Sequence, residues 1–433
     1  MNLVITLTSA GTDTGPFNIY SDVDGYLSAF DTNIDRATLL AGFATSNVPD
    51  GTVEIRVKSV NDLCNNYGRA GTVPLEYYFE PRASVYQTFF LDKNSYAYVY
   101  GSISGYYNGS SLVPGNIVAK INADLTYDTS FNILEGFNAH TVYTNTNLFE
   151  QPDGKIIVTG YFSSFNGVSA NRIIRLNTDG TRDYTFNIGT GFSDYALGVV
   201  QDNSGRFIIT GRFATYNGAS SPRLIRLLAD GSKDTSFNVG SGFSNTSIGV
   251  LIEPDDSLIV TSYVSSFNGV STPLSICKLN ADATLNTTFN TNAGTGFDAG
   301  NNRPIALRRV PGETGFYAAG NFTTYNGVAA GGIIKINADG TRDATWNVGN
   351  PGFLPARTVQ QIHTIWDGKI LLMGAFESYN SETSFYAIIL NADGSTFLTF
   401  PTIGYGMFYT IGNNLYGQDY VTQKNELIYT YFP

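Results

Sequence analysis

The chain has 433 residues, enough for two or three ordinary domains or one large repeat array, and its net charge is −11 with no basic run anywhere. A phosphate-backbone footprint is therefore missing, which excludes nucleic acid as a partner. Charged residues make up 14% of the chain, against the roughly 25% usual in soluble domains, while 28 Tyr, 29 Phe and 46 Gly suit many short strands joined by tight turns better than helices. Few charges among many Asn, Thr, Ser and Tyr is a surface style associated with extracellular and virion proteins.

The opening "MNLVITLTSA" has no basic n-region and too short an apolar run for a signal peptide. No stretch approaches the length of a membrane span. The expectation is a soluble chain with no membrane partner, not exported by a standard signal. Within residues 1–70, "NLVITLTSA" and "TVEIRVKSV" read as strands and "NIDRATLLAGF" as a short helix or turn, so a small β-rich domain is expected there. The combination "TSAGTDTGPFNIYSDVDGY", "LLAGF" and "VPDGTVEIRVKS" resembles an N-terminal module on structural proteins of phages infecting Bacteroidota and on related bacterial surface proteins. That resemblance implies a docking domain, with other virion proteins as its partners.

From residue 71 to 433 the sequence repeats itself. An aromatic-Asn-Gly marker falls at Asn108, Asn166, Asn217, Asn268 and Asn326, with a decayed Asn-Ser copy at Asn380, in steps of 58, 51, 51, 58 and 54 residues. A second marker follows each at near-constant distance: "INADLTYDTSFN" from Ile121, "LNTDGTRDYTFN" from Leu176, "LLADGSKDTSFN" from Leu227, "LNADATLNTTFN" from Leu279, "INADGTRDATWN" from Ile336 and a worn "LNADGSTFLTF" from Leu390. Two markers in register six times define a tandem array. Within a unit, "GKIIVTGYFSSFNG" from Gly154 alternates with period two, "NRIIRLN" from Asn171 is a second strand and "YTNTNLFEQ" from Tyr143 a third, with Asp153-Gly154 as a tight hairpin signal. Each unit is thus three or four short antiparallel strands.

Strand units of about 50 residues either stack as a solenoid or close as a propeller, and closure removes exposed sheet edges. The expected fold class is all-β, a β-propeller preceded by the small β-rich N-terminal domain. The tail "GMFYTIGNNLYGQDYVTQKNELIYTYF" holds three more strand-like pieces. Seven blades are therefore expected, the last shortened and completed by the early strand "LEYYFE" at Leu75 to Glu80 as a clasp; six blades with a C-terminal extension are the alternative. The repeat residues read as structural. Asn108, Asn166, Asn217, Asn268 and Asn326 supply the positive φ of a tight turn. Asp128, Asp183, Asp234 and Asp343 hold neighbouring backbone N–H groups as Asx residues do, and Asn286 keeps that shape with an amide.

The phrases "LNTDGTRDYTFNIGTGF" and "DGKIIVTGYFSSFNG" resemble the delta-sixty repeat family of β-propellers over about residues 85 to 400. That family is defined by structure-forming repeats, so the resemblance implies a fold and carries no catalytic residues. "NADGTRDATW" is similar to the Asp-box of sialidases, which is also a turn motif and implies no activity.

A residue copied in every blade is needed for the fold, whereas an active site is needed once, so chemistry should be sought among unrepeated residues. His140 and His363, the only histidines, do not fall at equivalent blade positions, so neither a metal pair nor a Ser-His-Asp triad is argued. Arg303, Arg308 and Arg309 form the only local arginine cluster and read as a solvated loop. No carboxylate pair stands at a spacing that suggests acid–base work. The acidic stretches at Ser21, Asp31 and Pro254 read as turns, not calcium loops, and the "GTGF" and "GSGF" segments open no helix to bind a nucleotide. Cys64 and Cys277 form no disulfide framework. No catalytic, cofactor-binding or metal residue is expected, and no cofactor. One alternative uses the aromatics beside the Asn-Gly turns. If they face outward, Tyr107, Phe165, Tyr216, Phe267, Tyr325 and Tyr379 are candidate sugar contacts.

The leading expectation is a non-enzymatic virion structural protein, associated with a phage tail or capsid and used in several copies for attachment, decoration or host contact. A carbohydrate-binding, lectin-like propeller of a bacterial surface, with a host glycan as partner, is the alternative; a glycoside hydrolase comes third.

Overall fold

The computed structural model describes residues 3–5, 16–21, 28–41, 43–49, 54–59, 68–71, 77–81, 88–92, 96–101, 103–108, 111–114, 118–122, 126–138, 146–263, 265–298, 304–310, 312, 315–348, 352–353, 359–400, 405–411, 414–419 and 425–430. The chain divides into two compact units, Met1–Leu75 and Glu76–Pro433.

In the first unit a four-stranded antiparallel sheet has the order Ala29–Ile34, Phe17–Ser21, Glu54–Ser59, Gly68–Gly71. Phe17 and Ile19 alternate inward on one strand, Ile55 and Val57 on its neighbour, and with Ile34 and Leu39 they make a small core. Leu39 comes from the helix Arg36–Ala41, whose start is capped by Asp35: its carboxylate accepts from Thr38 N at 2.8 Å. A two-stranded ladder joins Leu3–Ile5 to Phe43–Thr45.

The second unit is a series of antiparallel sheets, one per repeat. Repeat 1 comprises Thr88–Asp92, Tyr96–Gly101 and Val118–Asn122. Repeat 2 comprises Asn147–Glu150, Ile156–Thr159 and Ile173–Leu176; repeat 3, Ala196–Gln201, Phe207–Gly211 and Leu224–Leu227. Repeat 4 comprises Ser247–Ile252, Leu258–Ser262 and Ile276–Leu279; repeat 5, Pro304–Arg309, Phe316–Gly320 and Ile333–Ile336. Repeat 6 has four strands, Val359–Thr364, Ile370–Gly374, Ala387–Leu390 and Thr396–Thr399. The tail forms a seventh sheet from Tyr405–Ile411, Asn414–Asp419 and Asn425–Thr430.

The first strands of repeats 2 to 6 lie beside one another in chain order, and Tyr405–Ile411 of the last sheet lies beside Thr88–Asp92 of the first. The sheets of repeats 2 to 5 are thus each sandwiched between two neighbours. This explains why Ile156, Ile157 and Val158, or Ile173, Ile174 and Leu176, are all buried despite their alternating direction: both faces of the strand meet apolar neighbours. Burying several such side chains per sheet, at roughly 1.5–3 kcal/mol each, supplies the main drive for stacking the repeats.

One expectation is corrected. "LEYYFE" does not complete the last sheet. Its strand, Tyr77–Pro81, pairs with Ile103–Asn108, and that strand pairs in turn with Ser111–Pro114. The early strand extends the hairpin of repeat 1, while the tail builds its own three-stranded sheet.

Candidate functional site

The second and third strands of repeats 2 to 6 are joined by a hairpin whose tip is the first marker. Asn166, Asn217, Asn268, Asn326 and Asn380 have φ between 46° and 48°, and the glycines after the first four have φ of 75° or 76°. Positive φ at both central residues is the type I′ turn that matches strand twist, hence Asn-Gly. In repeat 6 Ser381 takes the glycine's place at φ 69°. The Asn side chain has a second role: its Oδ1 accepts from a backbone N–H of the incoming crossover, Gly136 for Asn166, Thr190 for Asn217, Ser241 for Asn268, Thr295 for Asn326 and Gly352 for Asn380. For Asn108 the structure gives the backbone pairing with Ser111.

The sugar-contact expectation for Phe165, Tyr216, Phe267, Tyr325 and Tyr379 gives way here. All five are at most 2% exposed. Each packs on an aromatic of the crossover, Phe137, Phe192, Phe243, Phe297 or Phe353, with ring centroids 4.7–4.9 Å apart. The tyrosine hydroxyls are also occupied: Tyr216, Tyr325 and Tyr379 donate to the carbonyls of Gly231, Gly340 and Gly394. Burial pushes all three phenols up. No sugar ring can stack on them. The side chain of Tyr107 lies outside the described residues.

The second marker is a charged latch. Asp183 accepts from Thr185 N and Oγ1 with one oxygen, and from Arg175 Nε and Lys155 Nζ with the other, both at 2.8 Å. Arg175 Nη1 then donates to Ala229 O in the next repeat. The pattern recurs as Asp234 with Arg226, whose Nη1 reaches Ala281 O, as Asp343 with Lys335, and as Asp128 with Lys120. Burial by itself would raise these carboxyls; hydrogen bonds and the basic partners outweigh it and hold all four below the usual range. The aromatics Phe131, Phe186, Phe237, Phe289 and Trp346 seal the turn behind them.

Repeat 4 breaks the pattern. Asn286 stands where its neighbours have Asp and caps the short helix Thr287–Asn292 by accepting from Phe289 N. Lys278 keeps a 3.4 Å bond to Ala338 O in the next repeat. Asn286→Asp is expected to raise stability by about 1 kcal/mol by adding a carboxylate beside Lys278 to the charges of Glu253 and Asp255 that already act on it, while retaining the cap; the urea midpoint measures it. On the other side of the same seam, Arg309 Nη1 donates to Ile252 O at 3.2 Å and pairs with Glu253 at 3.4 Å.

Other sequence candidates are absorbed locally. Arg308 and Arg309 lie on a strand, not in a loop; Arg308 Nε donates to Thr364 Oγ1. His363 is half-buried beside Gln361, and burial, then the Arg308 charge, lowers it to about 3; His140 and Arg303 lie outside the described residues. Asp31 accepts from Thr45 Oγ1 and Asn47 Nδ2, and Asp255 from Ser257. Cys277 is buried, which raises its thiol. Among the described residues no group of three His, Cys, Asp or Glu is placed to hold a metal ion, and no helix is long and apolar enough to cross a membrane.

One cluster remains outside all these roles. At the seam of repeats 2 and 3, Tyr161 and Tyr195 meet edge to face with centroids 4.5 Å apart. Arg172 lies over the Tyr161 ring at 5.5 Å and Arg212 over the Tyr195 ring at 6.0 Å. Local structure sets the row. Gly160 N bonds Arg172 O and Arg212 N bonds Tyr195 O, while φ of 65° at Arg172 bends the hairpin there. Arg212 is 61% exposed and pairs with Asp194 at 3.2 Å. Burial first, then Tyr161 and Asp194, hold the Tyr195 phenol above 10.0. Tyr195, Arg172 and Arg212 carry neither of the repeat markers. Their only sequence signal is that the combination occurs once: Tyr161, Arg212, Tyr263, Asn321 and Ala375 share one column, which keeps Tyr in two repeats.

Four stretches, residues 151–186, 203–237, 317–345 and 367–396, match the model of a family described as a domain of unknown function (DUF5122), beta-propeller. These four repeats match a β-propeller repeat. The matched stretches fall in repeats 2, 3, 5 and 6 and pass over repeats 1 and 4. No curated protein matches the chain. Solved structures similar to this propeller include a chain of a mitotic checkpoint complex, at 11% identity and TM-score 0.49 over 87% of this chain and 96% of that one. A gluconolactonase of Xanthomonas campestris is similar at 14% identity and TM-score 0.36, over 67% and 89%. Neither likeness bears on the activity of this chain.

Proposed function

We propose that residues 76–433 close into a seven-bladed propeller that works as a non-enzymatic contact module, carried on a phage virion by the N-terminal unit. Closure is supported by the last sheet lying beside the first; a ring leaves no long unpaired sheet edge, which suits a protein held in many copies at high local concentration. The observation that carries the non-enzymatic reading is the fate of the repeated polar residues. Asp183 and its equivalents hold interblade bases, the Asn side chains hold crossovers, and the buried tyrosines bond turn carbonyls. The groups that recur in the sequence are bound up in building a rigid ring, which leaves function to its surface.

The virion assignment rests on the N-terminal resemblance to modules of phage structural proteins and on the sparsely charged, Asn-, Thr- and Tyr-rich composition. Mass spectrometry of purified phage particles from the source of this chain tests it. The chain is expected among the structural proteins at a fixed copy number per particle. Its absence from intact particles removes the assignment.

A further inference from the structure

The geometry points to the Tyr161–Tyr195–Arg212 row as a binding site for an acidic sugar, a ring bearing a carboxylate, on the surface that the propeller contacts. This rests on the reading of the propeller as a contact module and names what it touches. The row alternates cation, ring, ring, cation: Arg172, Tyr161, Tyr195, Arg212. Half-buried tyrosines present fixed apolar ring surface for the C–H side of a sugar, and their hydroxyls hydrogen-bond each other. Flanking guanidinium groups match a carboxylate with two parallel donors, which a point charge cannot. Asp194 engages Arg212 through Nε, so the outer edge of the fork faces the 61% exposed side. The Nε of Arg172 and of Arg223, whose carbonyl bonds Gly211 N beside Arg212, are buried without a hydrogen-bond partner. Arg172 Nη1 donates to Asn171 Oδ1 at 3.3 Å, and Arg212 is the exposed guanidinium of the row.

Two magnitudes decide whether an anion can be held on a chain of net charge −11. The exposed carboxylates of Asp153 and Asp179 sit in turns at the other end of the repeat 2 strands, Ile156–Thr159 and Ile173–Leu176. With the flanking residues, that is a separation of about 15 Å. The screening length at physiological salt is about 8 Å. The local balance of Arg172 and Arg212 against Asp194 therefore governs the site, and the remote anions do not. The same numbers argue against a polyphosphate: two arginines on one seam make no track for a nucleic-acid backbone.

The row is also unrepeated. The Arg172 column reads Arg223, Ser275, Gly332 and Tyr386 in the following repeats, so the combination occurs once. A residue needed to close every blade would recur.

The test is calorimetric titration of the full chain with three probes: oligogalacturonate, neutral dextran and dextran sulfate. Oligogalacturonate is expected to bind, more weakly as salt rises, and neutral dextran is not. Arg212→Ala and Tyr161→Leu, which keeps an apolar side chain at the seam, are each expected to weaken binding about tenfold or more, with unchanged melting temperature. Arg342→Ala, which removes a guanidinium that bonds Ala329 O in repeat 5, is expected to leave binding intact. The proposal is overturned if oligogalacturonate fails to bind or if dextran binds equally. It also falls if dextran sulfate binds as tightly and Tyr161→Leu has no effect, since that is charge attraction without sugar recognition. Absence of the chain from particles would leave this result untouched, and failure here would leave the virion assignment untouched.

Discussion

Replacing Asp183 with Ala is expected to destabilise the propeller by about 3–5 kcal/mol, the range for removing one partner of a buried ion pair. The cost comes from what is left behind. Arg175 and Asp183 side chains are both under a tenth exposed, so the guanidinium would lose its anion without gaining water. Lys155 loses the same partner, and the bond from Arg175 to Ala229 O loses the carboxylate that orients it. Thermal or urea unfolding of the variant measures the effect. Acid offers a second route to the same latch. Asp128, Asp183, Asp234 and Asp343 are all held below their ordinary 3.8. A depressed native pKa contributes stability that is full above 3.8 and is lost as pH falls towards the native values. The wild-type protein is therefore expected to lose stability steeply below pH 4, and Asp183→Ala less steeply, because one of the four groups no longer titrates.

Arg309→Ala is expected to cost about 3 kcal/mol at neutral pH, again by stranding a buried charge. Here the charge is Glu253, 5% exposed. One of its oxygens already has no hydrogen-bond partner and the other has Arg309 at 3.4 Å. Burial raises the Glu253 carboxyl, while Arg309 and Lys278 act against it. Without Arg309 it rises further. A native pKa above the unfolded value favours the folded state at low pH and works against it as pH climbs through that value. The deficit of the variant should therefore shrink as pH falls from neutral towards the ordinary 4.5, opposite in sign to the acid behaviour of the Asp latches. Unfolding curves at the two ends of that range separate these cases. The effect falls on one seam, between repeats 4 and 5, where Asn286 has replaced the outer Asp and the inner Arg309–Glu253 pair bridges instead.

The repeat was legible because its turns are local chemistry. Positive φ at Asn217-Gly218 and the Asx geometry of Asp183 follow from residue type and need no knowledge of the rest of the chain. What lies beside a turn is not local. Tyr216 reads equally well as a surface aromatic or a buried one until the crossover Phe192 is placed on its ring and Gly231 under its hydroxyl. The strand Tyr77–Pro81 carries no signal of which neighbour it will pair with, and it took the first hairpin in place of the last sheet. Arg308 and Arg309 resembled a loop because the repeat spacing stretches there, whereas their backbone pairs with Phe316–Gly320. The Tyr161–Tyr195 row escaped for the opposite reason to the repeats. Its members are far apart in sequence, fall in different columns and meet only when two blades pack.

A closed propeller requires seven sheets arranged around a common axis, with Tyr405–Ile411 next to Thr88–Asp92. An electron-density map of the intact chain at a resolution that separates strands tests this most directly. It should show a closed wheel of seven blades, the tail forming the seventh and Tyr77–Pro81 clasped to the hairpin of the first. A gap between the first and last sheets, or an open superhelix of the same repeats, would contradict it.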